Sequence, residues 1–336
     1  MTPKHDLVTM GRATLDLYAQ DIGVPFEQIK SFAAYVGGSP ANIAVGARRL
    51  GLNVALISGV GDDPVADFIL AFLKEEGIDT AFVTRKPSAR TGAALLGIEG
   101  PDQFPLVYYR DNAADLQLTI DDVQAAPITD TAAFEFAGTN LSKEPSRSAT
   151  LFAVELAKSG GVRVIMDLDF RADQWDDVRA FGLMVRSILP NVDIAVGTEE
   201  EIKAAMLEGV EQLTIHHSQI TSPEISGDVG EAVKSLLEHG PQALVVKQGG
   251  KGASVHLQSG EVVFAPGFEV EVYNVLGAGD AFAGGLIYGV LKGWDWHRAA
   301  RMGNACGAIV VTRHGCANFM PYENEALDFI EQRGGF

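Results

Sequence analysis

Cysteine is nearly absent from this sequence. Cys306 and Cys316 are the only two, and their spacing fits neither a metal nor a redox motif. A disulfide framework is therefore excluded as an expectation, and both thiols are expected to be free in a reducing compartment. Positive charge is also scarce: 26 Lys and Arg stand against 44 Asp and Glu, for a formal charge of −18. Such a field repels nucleic acid and anionic lipid, and no run of like positive charge offers a local exception. Neither a nucleic-acid nor a membrane partner is expected. Long hydrophobic runs are missing as well. The longest, Ala281 to Leu291, is too short to cross a bilayer and is broken by glycines. The stretch MTPKHDLVTMG has no long apolar core after basic residues, so no signal peptide is expected and the cytoplasm is the expected location. The seven histidines show no metal-ligand spacing. Two common phosphate motifs are absent: Gly250-Lys251 is followed by Gly252 rather than Ser or Thr, and no GxGxxG follows the first strand.

What is present is an apolar chain, 47% hydrophobic over 336 residues, with enough material for a substantial core. Short β-branched runs read as buried strands: LVTMG near the start, VALISGV (54–60), VRVIMDL (162–168), VDIAV (192–196) and ALVVK (243–247). Helical patterns alternate with them. SPANIAVGARRLG predicts a helix with Ser39 as its cap, Pro40 at the first helical position and Gly51 past its end. SRSATLFAVELAKSG (146–160) and GEAVKSLLEHG (230–240) also end in Gly. This alternation predicts an α/β fold, a parallel sheet covered by helices on both faces. Two segments break the rhythm, about 12–36 and 90–118, with TGAALLGIEG and FPLVYYRDN reading as a hairpin. They predict a small β lid inserted in a single domain spanning 1–336. The stretch 216–228 reads as a loop with no assigned function.

Three motifs could carry chemistry. In NVLGAGDAF, the alternating FEVEVY (268–273) predicts a strand, and Phe282, Leu286 and Val290 share one face of a following helix. Gly277-Ala278-Gly279 thus falls at a helix N-terminus, where orphan backbone N–H groups can bind an anion. Asp280 cannot hold a phosphate, but it can accept a proton from a hydroxyl attacking one. It could equally be a helix cap. In YVGGSPANIAVG, Gly37-Gly38 permits a close turn and Asn42 offers both a donor and an acceptor for sugar hydroxyls; an ordinary surface turn is the competing reading. In GRATLDLY, Asp16 follows the end of the first strand, where ligands of open α/β sheets bind; a solvated acid is the alternative.

Order and spacing of these motifs resemble the ribokinase-like (PfkB) carbohydrate kinases, nearly end to end. The resemblance implies a Rossmann-like, mostly parallel sheet with a β lid, and ATP-dependent phosphorylation of a sugar hydroxyl. It implies Asp280 as catalytic base, with Gly277, Ala278 and Gly279 cradling the transferring phosphoryl group. Asp16, Gly37, Gly38 and Asn42 would contact the sugar. The family's Asn-x-x-Glu motif aligns with Thr198 to Glu201, with Thr198 in place of Asn on the nucleotide side and Glu201 acting on Mg²⁺. Lys247, Gly249, Gly252 and Asn304 fall on the nucleotide side. Where the family usually reads Asp-Thr-x-Gly-Ala-Gly-Asp, this chain reads Asn274-Val275-Leu276 before GAGD. That departure leaves the monovalent-cation site of many relatives without its first carboxylate. Relatives often form homodimers through the lid.

Two arginines narrow the substrate. Arg110 lies in YYRDNAADLQL and Arg171 in DLDFRADQW, and a pair of guanidinium forks suits the carboxylate of a sugar acid. Local ion pairs with Asp111 and Asp115, or with Asp169 and Asp173, are the competing reading. YVGGSPANIA, YRDNAADL and DLDFR-x-x-x-W resemble the 5-dehydro-2-deoxygluconokinase subgroup. That resemblance implies phosphorylation of 5-dehydro-2-deoxy-D-gluconate at C6, with Asp169 and Glu201 positioning Mg²⁺ through water. The 2-keto-3-deoxygluconate kinases share part of the pattern, and a fructokinase or other sugar kinase, or a non-catalytic sugar or nucleotide sensor on the same fold, are the remaining alternatives.

Overall fold

The computed structural model describes residues 3–100, 103–215 and 223–336. The first part of the 216–228 stretch, residues 216–222, lies outside the described residues. The strands in chain order are β1 (His5–Met10), β2 (Thr14–Ala19), β3 (Phe32–Gly37), β4 (Val54–Gly61), β5 (Val83–Lys86), β6 (Ala93–Leu96), β7 (Leu106–Tyr109) and β8 (Thr131–Ala137). They continue with β9 (Arg163–Asp167), β10 (Ile194–Thr198), β11 (Leu213–Thr214), β12 (Glu224–Ile225), β13 (Ala243–Lys247), β14 (Gly252–Leu257) and β15 (Val262–Pro266). Nine of them form one sheet in the order β15-β14-β13-β10-β9-β8-β1-β4-β5. Pairing is parallel from β13 to β5 and antiparallel only at the β13–β14 and β14–β15 edge.

Alternating side chains of each strand feed two separate cores. Leu7 and Val245 face a core shared with the helices Ser39–Arg49, Ala278–Leu291 and Trp296–Val311. Val8, Leu244 and Val246 face a second core with the helices Ser146–Ser159, Arg179–Ile188 and Val229–Glu238. Burial on both faces is why the parallel strands read as continuous apolar runs.

Two expectations need correction. FEVEVY is not a strand: the chain leaves the sheet at Pro266, and residues 267–277 are irregular. The segment is tied instead to the end of the Trp296–Val311 helix, where Val311 O accepts from Tyr273 N at 2.7 Å and from Asn274 N at 3.2 Å. Its alternation reflects Phe268 and Val270 lying against the first core. Ser39 is the first helical residue rather than the cap, which is Gly38 at φ 96°. A Cβ at Gly38 would sit 2.5 Å from Arg12 O, so glycine alone fits that turn.

The interrupted segments build a four-stranded sheet in the order β3-β2-β6-β7. Its register aligns Tyr35, Asp16, Ala94 and Tyr108 on one face, and Leu15, Ala93 and Tyr109 on the other. Leu17, Leu95 and Val107 continue the second face. The first face looks onto the cleft at the carboxyl ends of the main strands.

Candidate active site

The glycine turn opens the Ala278–Leu291 helix. Gly277, at φ 76°, is the cap residue, and no side chain caps the helix. A Cβ on Gly277 would lie 2.6 Å from Cys316 N, so glycine is required for both conformation and space. Ala278 N makes a long bond to Val275 O at 3.4 Å; the other first-turn N–H groups and the helix dipole give this end the character of an anion site. Asp280 sits in the first turn but does not cap it. Its Oδ2 accepts a hydrogen bond from Asn42 Nδ2 at 2.7 Å. Burial pushes its carboxyl above the usual aspartate range, against the pull of the Asn42 hydrogen bond.

One cavity gathers Arg12, Asp16, Asn42, Tyr108, Arg171 and Asp280, with Gly38 and Gly277 in its wall. Asp16 accepts from Thr14 Oγ1 at 2.8 Å and from Tyr18 OH at 3.3 Å, and burial pushes its carboxyl up to about 6. A Cβ on Gly37 would collide with Asp16 Oδ2 at 2.0 Å, so Gly37 makes room for that carboxylate. Asn42, expected to contact sugar, spends its amide nitrogen on the prospective base and so orients it.

The arginine pair requires a correction. Arg110 does not line this cavity. Its Nε donates to Asp115 Oδ2 at 2.9 Å, its Nη2 pairs with the same carboxylate, and its Nη1 donates to Gln174. It borders an adjoining hollow with Lys143 and Asp173. The second guanidinium beside Arg171 is that of Arg12, which sequence reasoning passed over although it directly follows Gly11 in GRATLDLY. Arg12 Nη1 contacts Asp169 and donates to Thr139 Oγ1 at 2.6 Å, while Arg171 Nη2 lies 3.0 Å from Asp169 Oδ1. Thr139 Oγ1 donates to Asp169 Oδ2 at 2.9 Å.

Asp169 is thus not placed as a metal-side carboxylate. Two guanidinium groups and a hydroxyl occupy both its oxygens, and against desolvation the two arginines hold its carboxyl far below the usual range. The neighbouring carboxylate, Asp167 at the end of β9, pairs with Lys247 instead. Lys247 Nζ lies 3.3 Å from Asp167 Oδ2 and 3.8 Å from Glu201 Oε2. Burial pushes Asp167 up, and Glu201 and Asp169 push the same way against the attraction of Lys247. Desolvation acts to lower the Lys247 ammonium, yet Asp167 and Glu201 keep it above its ordinary value. Lys247 also overhangs the glycine turn: a Cβ on Gly279 would lie 3.2 Å from its Nζ.

Thr198 and Glu201 form a reciprocal capping box: Glu201 N donates to Thr198 Oγ1 at 3.2 Å, and Thr198 N to Glu201 Oε2 at 2.8 Å. That leaves Glu201 Oε1 facing Arg171 Nη1 at 3.6 Å. Among the nucleotide-side residues, Gly249 (φ 57°) lies in an exposed turn and Gly252 (φ 113°) packs against Ala265 O. Asn304 donates its amide to Ala265 O at 2.9 Å and Pro266 O at 3.0 Å, pinning its helix to β15.

Beneath the site, Glu135 of β8 is fully buried, with neither carboxyl oxygen hydrogen-bonded. Burial, then Asp167, Asp280 and Asp169, push its carboxyl well above the ordinary glutamate range, which favours the neutral acid in the fold. In the unfolded chain it ionises near pH ~4.3. Its contribution to stability is therefore complete below that pH and is lost as pH rises toward the folded value. Glu135→Gln removes this loss. The variant's melting temperature, relative to the parent, is expected to be higher at pH 8 than at pH 5; an equal difference at both would mean Glu135 is ionised in the fold.

The model of the pfkB family carbohydrate kinases matches residues 4–323. The chain belongs to that family. It is 35% identical to the 5-dehydro-2-deoxygluconokinase of Geobacillus thermodenitrificans, over 97% of this chain and 92% of that one. Identity to the Clostridium tetani enzyme of the same name is 34%, over 98% and 93%. Among solved structures, an Escherichia coli protein termed ribokinase II, in complex with ATP and Mg²⁺, superposes with a TM-score of 0.83 at 26% identity, covering 98% of this chain and 99% of that one. A double-mutant Vibrio cholerae fructokinase with fructose, ADP and potassium bound gives 0.80 at 25% identity, covering 98% and 99%. The ribokinase-like fold and a carbohydrate kinase activity follow for this chain. Among the described residues, no helix is long and apolar enough to cross a membrane.

Proposed function

We propose that this kinase transfers the γ-phosphoryl group of ATP to the C6 hydroxyl of 5-dehydro-2-deoxy-D-gluconate. The observation that carries the substrate class is the pair of guanidinium groups, Arg12 and Arg171, sharing one cavity with Asp16, Asn42 and Asp280. Both guanidinium groups pair with Asp169, and Arg171 also faces Glu201; unlike Arg110, both also line the cavity, where a sugar acid's carboxylate can accept from their remaining N–H groups. The full-length likeness to 5-dehydro-2-deoxygluconokinases supports the specific acid. In this reading Asp280 takes the C6 hydroxyl proton as the O6–phosphorus bond forms and the bond to the β–γ bridging oxygen breaks, releasing ADP. The N–H groups of Gly277 to Gly279 and the ammonium of Lys247 face the charge on the phosphoryl oxygens. Asp16 accepts from the sugar hydroxyls, and the lid shields the reaction from water.

Mg²⁺ fits the phosphate side. Asp167 and Glu201 are two buried carboxylates sharing one lysine, and Mg²⁺ typically uses one or two carboxylates with water and phosphate oxygens. Bound there, it would neutralise charge on the ATP phosphates. Thr198, Gly249, Gly252 and Asn304 remain our proposed nucleotide-side positions. The whole chain is read as one domain acting in the cytoplasm.

The decisive assay measures ADP release with 5-dehydro-2-deoxygluconate, 2-keto-3-deoxygluconate, fructose and ribose side by side. The first is expected to give the highest kcat/KM. A preference for fructose or ribose would end the sugar-acid reading, and no turnover with any would favour a sensor.

A homodimer through the lid is part of the proposal. The outer lid face carries Leu15, Leu17, Ala93, Leu95, Val107 and Tyr109 with no charge among them, and Val107 and Tyr109 are 42% and 60% exposed. Light scattering is expected to report a dimer that Val107→Asp combined with Tyr109→Glu converts to monomer. A parent chain that is monomeric at every concentration sinks this assembly.

A further inference from the structure

Position 274 is where the family's usual aspartate is replaced, and the structure shows what the replacement does. Asn274 is completely buried. Its Nδ2 donates to His314 O at 2.6 Å, and its Oδ1 accepts from Leu276 N at 3.0 Å. One amide side chain therefore ties the segment leading into the glycine turn to the loop after the Trp296–Val311 helix. The two segments meet closely: a Cβ on Gly277 would strike Cys316 N at 2.6 Å, and one on Gly315 would strike Leu276 O at 2.3 Å. The backbone bonds from Tyr273 and Asn274 to Val311 O close the same junction.

These residues do not fit a monovalent cation. A cation at this junction needs oxygen lone pairs and, when buried, a nearby negative charge to offset its lost hydration. Asn274 supplies no charge. One of the two lone pairs of its Oδ1 is engaged by the Leu276 N–H, and its own N–H₂ is aimed at the carbonyl of His314, so a partial positive charge already stands beside that oxygen.

We infer that Asn274 braces the phosphoryl-binding turn in place of a monovalent cation, so that this kinase runs without potassium. The inference rests on the kinase reading for its activity arm only. Asn274 is a positioning residue: it does not line the cavity, and it acts by holding Leu276 and the Gly277–Gly279 amides where the helix begins.

The test uses the full chain in potassium chloride, sodium chloride and tetramethylammonium chloride at equal ionic strength. Melting curves and ADP release are read in each salt. The parent is expected to melt at the same temperature in all three and to turn over equally fast. A saturable, potassium-specific rise in melting temperature, or a loss of rate in tetramethylammonium, overturns the inference. If no sugar yields ADP, the kinase reading fails, and the melting curves still decide the cation question. Asn274→Asp removes the donor to His314 O and adds a charge. In tetramethylammonium its kcat/KM is expected to fall roughly ten- to a hundred-fold, as for a lost buried hydrogen bond, with partial recovery in potassium. Asn274→Ala, checked for folding by circular dichroism, should show the same fall without recovery. Full potassium-free activity in both variants would mean the amide braces nothing.

Discussion

Asp280→Asn is expected to lower kcat by about 10²- to 10⁴-fold, the range for removal of a positioned general base, with little change in the KM for ATP. The substitution is nearly isosteric, and its amide can still meet Asn42 after a flip of either group, so the pocket keeps its shape. What disappears is the site that accepts the hydroxyl proton. The separation between kcat and ATP binding matters because Asp280 is bonded to Asn42, whereas Lys247 overhangs the glycine turn, and the proposed mechanism puts the sugar hydroxyl at the first and the ATP phosphates at the second. Single-turnover measurement of ADP formation checks it. A variant turning over at near the parental rate would remove Asp280 as base and leave it as a holder of Asn42.

The second large effect concerns the arginines. Arg171→Ala is expected to raise the KM for a sugar acid by roughly ten- to a hundred-fold, since a hydrogen bond to a charged group contributes about 1.5–3 kcal/mol. A neutral analogue should be affected far less. Arg12→Ala should show the same discrimination with an added loss of stability. Asp169 is 3% exposed, and breaking a buried pair costs about 3–5 kcal/mol, here at the low end because Arg171 still faces it. Arg110→Ala is expected to behave differently. It strands Asp115, so the melting temperature falls, yet the ratio of acid to neutral KM stays near parental. Steady-state kinetics on both substrates decide the matter, and equal effects of Arg171→Ala on acid and neutral sugar would sink the carboxylate clamp.

Much of this is legible in the sequence itself, because the signals are local. ALVVK coincides with β13 since a fully buried parallel strand needs an unbroken apolar run. Gly277 and Gly38 were legible because positive φ and backbone crowding leave no other residue type. The failures have equally specific causes. The central strand β8, TAAFEFA, is hard to read in the sequence because Glu135 interrupts its apolar pattern, and only the fold shows that acid fully buried, with desolvation first and then Asp167, Asp280 and Asp169 pushing its carboxyl up. Asp167 and Asp169 are two apart, a spacing that in a continuing strand would put them on one face. The chain instead leaves β9 and passes through φ 39° at Asp169, which turns that carboxylate toward Arg12 and Arg171. Arg12 and Arg110 are equally good forks on paper. Each is held by a carboxylate, Arg12 by Asp169 and Arg110 by Asp115, and only the fold shows that Arg12 also lines the cavity.

The pleat of β2 has a consequence for variation in this chain. Asp16 and Tyr18 point into the cleft, and Leu15 and Leu17, one residue away, point outward. Neighbouring codons thus answer to unrelated demands. Substrate preference can drift at positions 16 and 18 while the outer surface stays constant, and the outer surface can be rewritten without touching chemistry. An insertion or deletion of one residue in the same strand has no such freedom, because it would exchange the two roles at once.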